Sequence, residues 1–428
     1  MTPDKRSMGR QLSVITVDQI VAGASNVLIA VLAARLLGVA SFGLFGIVFL
    51  VYVLLQGISR ALVSDPLLVH PEEAQDRPGD AIGTSILIGL GLGVVLFLAS
   101  FGAGLWEARL GDALLVLAVC TPLLVLQDFG RYLGFARQRP SSAMVLDTVW
   151  LVLVCVAVAL LLAFDARTLT WFVVAWAGSG AVAGVLVFVQ VPVRAIRLDL
   201  SWLRSTWPFS WRYLISYTTT QGSALAASSG VGGIAGPRAL GGMQGAVLLV
   251  RPFMTLQVAA VAAGVSSISR LPRDDARIRT QGIKISVLAV GVAALNTIVM
   301  LALPDRLGVL VLGASWTAAK PLLLPTGVQI LLLAVITGAR AGLLGTRAVS
   351  KAMVLDVAAT VLVLGLVLVG AFVGGVSGAL WAVAAGQGVA ALGWWLTIWG
   401  HTRPSVPTPG GRHRPEFVAA LTGPVATS

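Results

Sequence analysis

"RQRPSSAMVLDTVW" (Arg137–Trp150) and "TRAVSKAMVLDVAA" (Thr346–Ala359) share a pentapeptide that begins at Ala143 and again at Ala352, 352 − 143 = 209 residues apart. At the same spacing Arg131 falls over Arg340, Ser141 over Ser350 and Asp147 over Asp356. Nearer the N-terminus the matches come at a spacing of 203. There Ser13 falls over Ser216, Thr16 over Thr219, Ala24-Ser25 over Ala227-Ser228, and Arg35-x-Leu37-Gly38 over Arg238-x-Leu240-Gly241. Matches at two places with nearly equal spacing point to a duplicated chain.

Composition says what is duplicated. Of 428 residues 57% are hydrophobic and only 11% charged, with mean hydropathy +0.91. A soluble domain carries roughly 25% charged residues, so this chain lacks the ionic groups to solvate a water-facing surface. In lipid, a spanning helix needs about 20 apolar residues. Segments of that kind are read at 12–34, 42–63, 82–105, 112–134, 143–164, 171–193, 208–230, 239–265, 284–303, 321–343, 352–373 and 376–399. The expected fold is an all-α integral membrane protein of twelve transmembrane helices in two pseudo-symmetric six-helix bundles. The expected divisions are an N-terminal tail 1–11, bundles 12–200 and 201–400, and a C-terminal tail 401–428. Six helices return the chain to its starting side, so the halves share one orientation and are related by an axis along the membrane normal. The segment 11–34 is too long, and too polar at its start, for a cleavable signal.

Lysine and arginine set the orientation. Of 30, eighteen fall in one set of loops and tails and six in the opposite set, leaving 30 − 18 − 6 = 6 within or at the edges of spans. Both termini are therefore expected in the cytoplasm, with the protein in the inner (cytoplasmic) membrane. The net charge of +12 reads as a topology signal and a surface for anionic membrane lipids. No basic, aromatic-studded domain is present to bind nucleic acid.

Soluble-enzyme chemistry has little support. Cys120 and Cys155 lie in apolar runs, as small buried groups rather than a disulfide framework. His70, His401 and His413 sit in polar sequence without metal-ligand spacing, and no phosphate-cradling glycine loop or Ser-His-Asp set is found. The expectation is no catalytic residues, no metal, no cofactor and no enzyme activity. A membrane polymerase or glycosyltransferase would need a large external loop or an acidic pair. The loops assigned outside are short, and the first, "LLGVAS" (Leu36–Ser41), has no acid.

"ARLLGVASFGLFGIVFL" (Ala34–Leu50), placed directly after the first helix, resembles the signature of polysaccharide-unit (Wzx-like) flippases. These belong to the multidrug/oligosaccharidyl-lipid/polysaccharide exporter superfamily. An echo, "GPRALGGMQGAVLLVRPFMTLQ" (Gly236–Gln257), falls where that family begins its eighth helix. The resemblance spans nearly the whole chain through hydropathy, twelve-helix layout and duplication. It implies a monomer working by alternating access that moves a polyprenyl-diphosphate-linked oligosaccharide or polysaccharide unit from the inner to the outer leaflet. A glycan polymerase or glycosyltransferase would be its partner. The alternative within the superfamily is a cation-coupled multidrug or natural-product antiporter, for which an acidic coupling residue such as Asp18 would be needed.

Polar groups within spans mark the candidate site, because an ionisable residue at mid-membrane costs at least ~2.5–3.5 kcal/mol. Arg251 stands near the middle of the eighth span with no acid near it in sequence, and Pro252 follows it. It reads either as a cation for a diphosphate head group or as an ion-pair partner of Asp18. The first and seventh spans carry matching stripes, Thr16, Asp18 and Asn26 against Thr219, Gln221 and Ser228, which line a cavity or tie helices together. Gln56, Arg60 and Gln257 extend that lining, or Arg60 snorkels to the nearby surface. Arg131 precedes Asp147 by 16 residues, and Arg340 precedes Asp356 by 16, so each pair brackets a hairpin and reads as a structural ion pair or a gate. Asp128, one turn before Arg131, can share it. The glycines of "GLGLGVV" (Gly89–Val95) and "GSGAVAG" (Gly178–Gly184) read as close-packing positions.

Overall fold

A computed structural model of the chain describes residues 27–69, 78–137, 139–190, 196–271 and 275–402. The described residues are almost wholly helical and contain no strand. The chain order is α1 (Val27–Leu36), α2 (Val39–Leu68), α3 (Pro78–Trp106), α4 (Ala108–Ala136), α5 (Pro140–Ala163), α6 (Leu169–Gln190), α7 (Ser201–Ala235), α8 (Pro237–Ile268), α9 (Asp275–Leu301) and α10 (Ser315–Gly345). Then come α11 (349–373) and α12 (376–401), formed from one helical run, Val349–His401, broken at Gly374–Gly375. Gly375 sits at φ 58°, a left-handed backbone that glycine adopts without a Cβ clash. A short helix, Asp305–Leu312, precedes α10.

By length and apolarity nine helical stretches among the described residues can each cross a membrane. The count reaches twelve once α11 and α12 are separated, the shorter apolar α1 is added and the polar α7 is included. Most helices run several residues past the segments read from hydropathy: α4 covers 108–136 rather than 112–134, and α7 covers 201–235 rather than 208–230. The reason is physical. Hydropathy reports the hydrocarbon slab, while the hydrogen-bond ladder continues into the interfacial layer.

α2, α3, α5 and α6 pack on α4, and α8, α9 and the α11–α12 run pack on α10, while α7 lies between the α11–α12 run and α2. Close packing within the first bundle rests on glycines at one-turn intervals. A side chain at Gly89 or Gly93 of α3 would press on Pro122 or the Ala118 carbonyl of α4, whereas Gly91 between them meets nothing. Gly184 of α6 is pressed in the same way against the Leu123 carbonyl.

The seam between bundles is α2 against α7 and α8. It is tightest at the N-terminal ends of α2 and α8. A Cβ at Gly43 would collide with the Pro237 carbonyl, and one at Gly241 with the Val39 carbonyl. These contacts are mutual images, since 237 − 39 and 241 − 43 both equal 198. Gly38 and Gly236 are likewise the N-caps of α2 and α8, so the halves correspond here at 198, not at 203. The spacing of 209 suits the α4–α5 and α10–α11 hairpins, where Ala136 and Gly345 end equivalent helices. Small apolar residues recur so often in lipid-facing helices that a run of matching letters does not fix the register.

One hydrophobic cluster crosses the seam, from Phe45 and Val48 of α2 to Leu240 and Val250 of α8. Toward the ends bearing the basic loops the core divides in two. One cluster there is built around Phe129 and Leu133 of the first bundle, the other around Trp394 and Ile398 of the second.

Candidate functional site

Charge enters the first bundle at a π turn. α2 widens over Arg60–Ser64, a distortion common where helices carry sites. Arg60 does not snorkel outward. Its Nε donates to Asp128 Oδ2 and its Nη2 to Asp128 Oδ1, both at 2.7 Å. Nη2 also reaches Gln56 Oε1 at 3.0 Å, and the guanidinium carbon lies 5.4 Å from the centre of the Tyr132 ring. Asp128 is shared: Arg131 Nη1 stands 3.4 Å from its Oδ1. Arg131 Nε is in turn 2.9 Å from Asp147 Oδ2, across the α4–α5 hairpin, and Gln127 Nε2 donates to Asp147 Oδ1 at 3.0 Å. Two arginines and two carboxylates thus form one neutral chain from α2 through α4 to α5. Neutrality and close pairing are what permit such charges at membrane depth, although Gln56 Nε2 and Gln127 Oε1 are buried without a partner among the described residues.

This network forms one wall of a cavity of about 150 Å³ inside the first bundle. Gln56, Arg60, Arg131 and Asp147 give it a polar side, and Phe49, Tyr52 and Trp150 an aromatic one. The rings continue into α6, with Tyr52 and Trp176 edge-to-face at 4.9 Å and Phe45 and Phe172 at 5.2 Å. Trp150 Nε1 donates to the Trp176 carbonyl at 3.0 Å, within a second π turn, Val174–Gly178.

Arg251 approaches the ring of Phe49, which also lines that cavity. It is half-buried on α8, with its guanidinium carbon 5.1 Å from the centre of that ring. Since 251 − 237 = 14 and 268 − 251 = 17, it stands about 21 Å from one end of α8 and about 26 Å from the other at 1.5 Å per residue. This is mid-span, on the seam. Among the described residues no carboxylate pairs with it. Asp18, the partner expected from sequence, lies outside the described residues, as do Thr16 and Asn26. Pro252 stays within the helix but supplies no N–H to the turn before it.

In the second bundle Arg340 Nη2 donates to Asp356 Oδ2 at 3.0 Å, with the guanidinium carbon 5.8 Å from the centre of the Trp394 ring. The setting differs from that of Arg131 and Asp147. Those side chains are 11% and 8% exposed, whereas Arg340 and Asp356 are 44% and 43% exposed on the wall of a larger cavity of about 380 Å³. Thr337 takes the place of Asp128 at the spacing of 209, and Val258 that of Arg60 at 198, so the second pair has no relay to the seam.

The remaining candidates separate. Gln257 is tied inside the second bundle, donating to the Leu333 carbonyl at 3.1 Å and to Thr337 Oγ1 at 3.3 Å. Thr219 and Gln221 are half-buried on α7, but α7 contributes Ser223, Ala224 and Ala227 to the larger cavity instead. Ser228 is buried. Both cavities lie within bundles rather than on the seam. Sequence reasoning missed the Arg60–Asp128 tie, although matching the deep charges would have exposed it. Asp128, Asp147 and Asp356 each have an arginine, and Arg251 is the arginine left over.

The architecture is similar to solved transporter structures. An inward-facing multidrug resistance MATE family transporter of the MOP superfamily superposes with a TM-score of 0.70 at 15% identity, covering 88% of this chain and 94% of that one. An outward-facing structure described in the same terms gives 0.58 at 16% identity, covering 92% and 95%. The lipid II flippase MurJ in its inward closed conformation gives 0.66 at 8% identity, covering 90% and 87%. No curated protein matches the chain. The family model for "Polysaccharide biosynthesis protein" matches residues 31–321, which is 321 − 31 + 1 = 291 of 428 residues. With more than half its length matched, and with this fold, the chain is a multi-pass membrane protein of the polysaccharide biosynthesis protein family.

Proposed function

We propose that the protein is a flippase that moves a lipid-linked oligosaccharide from the inner to the outer leaflet of the cytoplasmic membrane by alternating access, with both termini in the cytoplasm. The observation that carries this reading is Arg251, a mid-span cation on the bundle seam with no acidic partner among the described residues. A guanidinium there matches a diphosphate in charge and fork geometry, and the lipid tail can stay in the bilayer while the head crosses. The divided core toward the basic ends and the Gly43–Gly241 crossing at the opposite ends support a state open to the cytoplasm. The better superposition on the inward-facing transporter agrees. No nucleotide-binding motif is found in the sequence. A head group of about two negative charges gains roughly 4.6 kcal/mol per 100 mV on leaving an inside-negative cell, at ~2.3 kcal/mol per charge.

The antiporter reading needs an acid free to bind a cation. Among the described residues the deep aspartates Asp128, Asp147 and Asp356 each have an arginine partner, which leaves Asp18, outside those residues, as the acid that reading would have to use. The test is translocation of a fluorescent polyprenyl-diphosphate oligosaccharide in proteoliposomes, read by head-group accessibility. Arg251→Ala should slow it about 10- to 100-fold, the scale of a lost charged hydrogen bond, with the fold intact. An unchanged rate removes Arg251 as the anchor and the reading with it.

A further inference from the structure

The cavity in the second bundle has an unusual lining for its depth. Gln329 on α10, Thr360 on α11 and Gln387 on α12 all face it near the middle of their spans. Among the described residues no protein group hydrogen-bonds the two amides or the hydroxyl. Other amides are held on at least one side, Gln56 by Arg60, Gln127 by Asp147 and Gln257 by α10, while Asn296 Nδ2 is likewise buried without a partner among the described residues. At this depth unpaired amides are costly unless a polar occupant satisfies them. Toward the basic end the same wall presents the half-exposed Arg340–Asp356 pair, which brings no net charge.

The lining is otherwise mostly apolar, so an occupant that pairs these groups would be neutral and would carry groups that both donate and accept. Each carboxamide offers a donor and an acceptor side by side, and the ion pair adds a guanidinium fork and a carboxylate. Neighbouring hydroxyls on a sugar ring present the complementary set. At about 380 Å³ the space falls within the ~300–1,000 Å³ of small-ligand sites. The cavity of the first bundle is smaller, and its charges already satisfy one another.

We infer that the cavity of the second bundle is a sugar subsite, in which Gln329, Gln387 and Thr360, with the Arg340–Asp356 pair, hold a neutral pyranose of the transported glycan. The inference rests on the flippase reading for its biological role, since Arg251 would hold the charged part of the same head group at the seam. The binding itself needs neither a lipid carrier nor transport.

Its test follows from that independence. Thr360→Cys is introduced into the full-length chain with Cys120 and Cys155 replaced by serine, and labelling of the introduced thiol by a maleimide is followed in detergent. Free N-acetylglucosamine, glucose and galactose are the probes, with inorganic phosphate and a short alkyl glycol as comparisons. At least one sugar should protect that thiol in a saturable way, while phosphate and the glycol should not. Adding Gln329→Leu and Gln387→Leu should weaken protection about tenfold, as expected for two lost hydrogen bonds, and Arg251→Ala should leave it unchanged. Absence of protection by every sugar in a folded protein overturns the inference, because the cavity then holds only water. Protection by the glycol alone also overturns it, because the cavity is then a lipid-tail site. Sugar protection in a protein that fails to flip polyprenyl-diphosphate carriers would sink the flippase reading and leave the subsite standing.

Discussion

Arg60 and Asp128, 68 residues apart, meet through two parallel hydrogen bonds of 2.7 Å, and Asp128 retains 3% of its side-chain exposure. Breaking a buried pair on one side leaves a charge with no counterion. Asp128→Asn should therefore destabilise the protein by about 3–5 kcal/mol, seen as a lower thermal midpoint in detergent. Replacing both residues with leucine should recover part of that loss. A midpoint unchanged by Asp128→Asn would show that the bidentate pair is not formed in the folded protein.

The two repeated ion pairs should respond differently to charge exchange. Arg340→Asp lowers folded yield, and adding Asp356→Arg should restore it, since Thr337 nearby is neutral. Arg131→Asp with Asp147→Arg should be rescued only in part. The new carboxylate at position 131 would face Asp128, now 3.4 Å from the arginine, and like charges one turn apart repel. Fluorescence-detected size exclusion of the four single and two double variants compares them. Equal rescue in both bundles would remove the role assigned to Asp128.

The α2–α8 crossing admits no side chain at two positions. Gly43→Val and Gly241→Val should each force the N-terminal ends of these helices apart, whereas Gly38→Ala, which meets open space, should be silent. Distances between spin labels near positions 39 and 237 should lengthen in the valine variants, and translocation should fall at least tenfold. Unaltered distances would mean that the seam does not close at this point.

Outside the spans, Asp305 accepts from Lys320 Nζ at 2.6 Å and from Trp316 Nε1 at 2.8 Å. These hydrogen bonds hold its carboxyl below the ordinary value of 3.8. A depressed carboxylate stabilises the fold above its unfolded-state pKa and loses that contribution as pH falls through the folded value. The difference in thermal midpoint between the wild-type chain and Asp305→Asn should thus be present at neutral pH and close below pH ~4. A gap that widens on acidification would contradict the assignment.

The number of helices, their order and the duplication were legible because lipid imposes a one-dimensional rule. A span must be a run of apolar residues of fixed length, with its backbone bonds satisfied internally. The rule shows the loops and the repeated Arg131/Asp147 and Arg340/Asp356 positions. It also singles out Arg251, since a lone cation in an apolar run is visible without coordinates. It says nothing about faces, because a helix that is apolar all round carries no stripe to orient it.

Other relations depend on which faces meet, and these came from the packed molecule. Arg60 turns inward to Asp128 rather than outward to solvent, and Gln257 is tied to α10 while Gln329 and Gln387 are left facing a cavity. Gly43 and Gly241 correspond at a spacing of 198 that letter matching misplaced by five residues. Each relation joins groups on different helices, where packing of the small residues sets the distance and the polar atoms take the partners that packing brings within reach. Composition along the chain fixed where the helices run, and close approach between helices fixed what their few polar side chains can do.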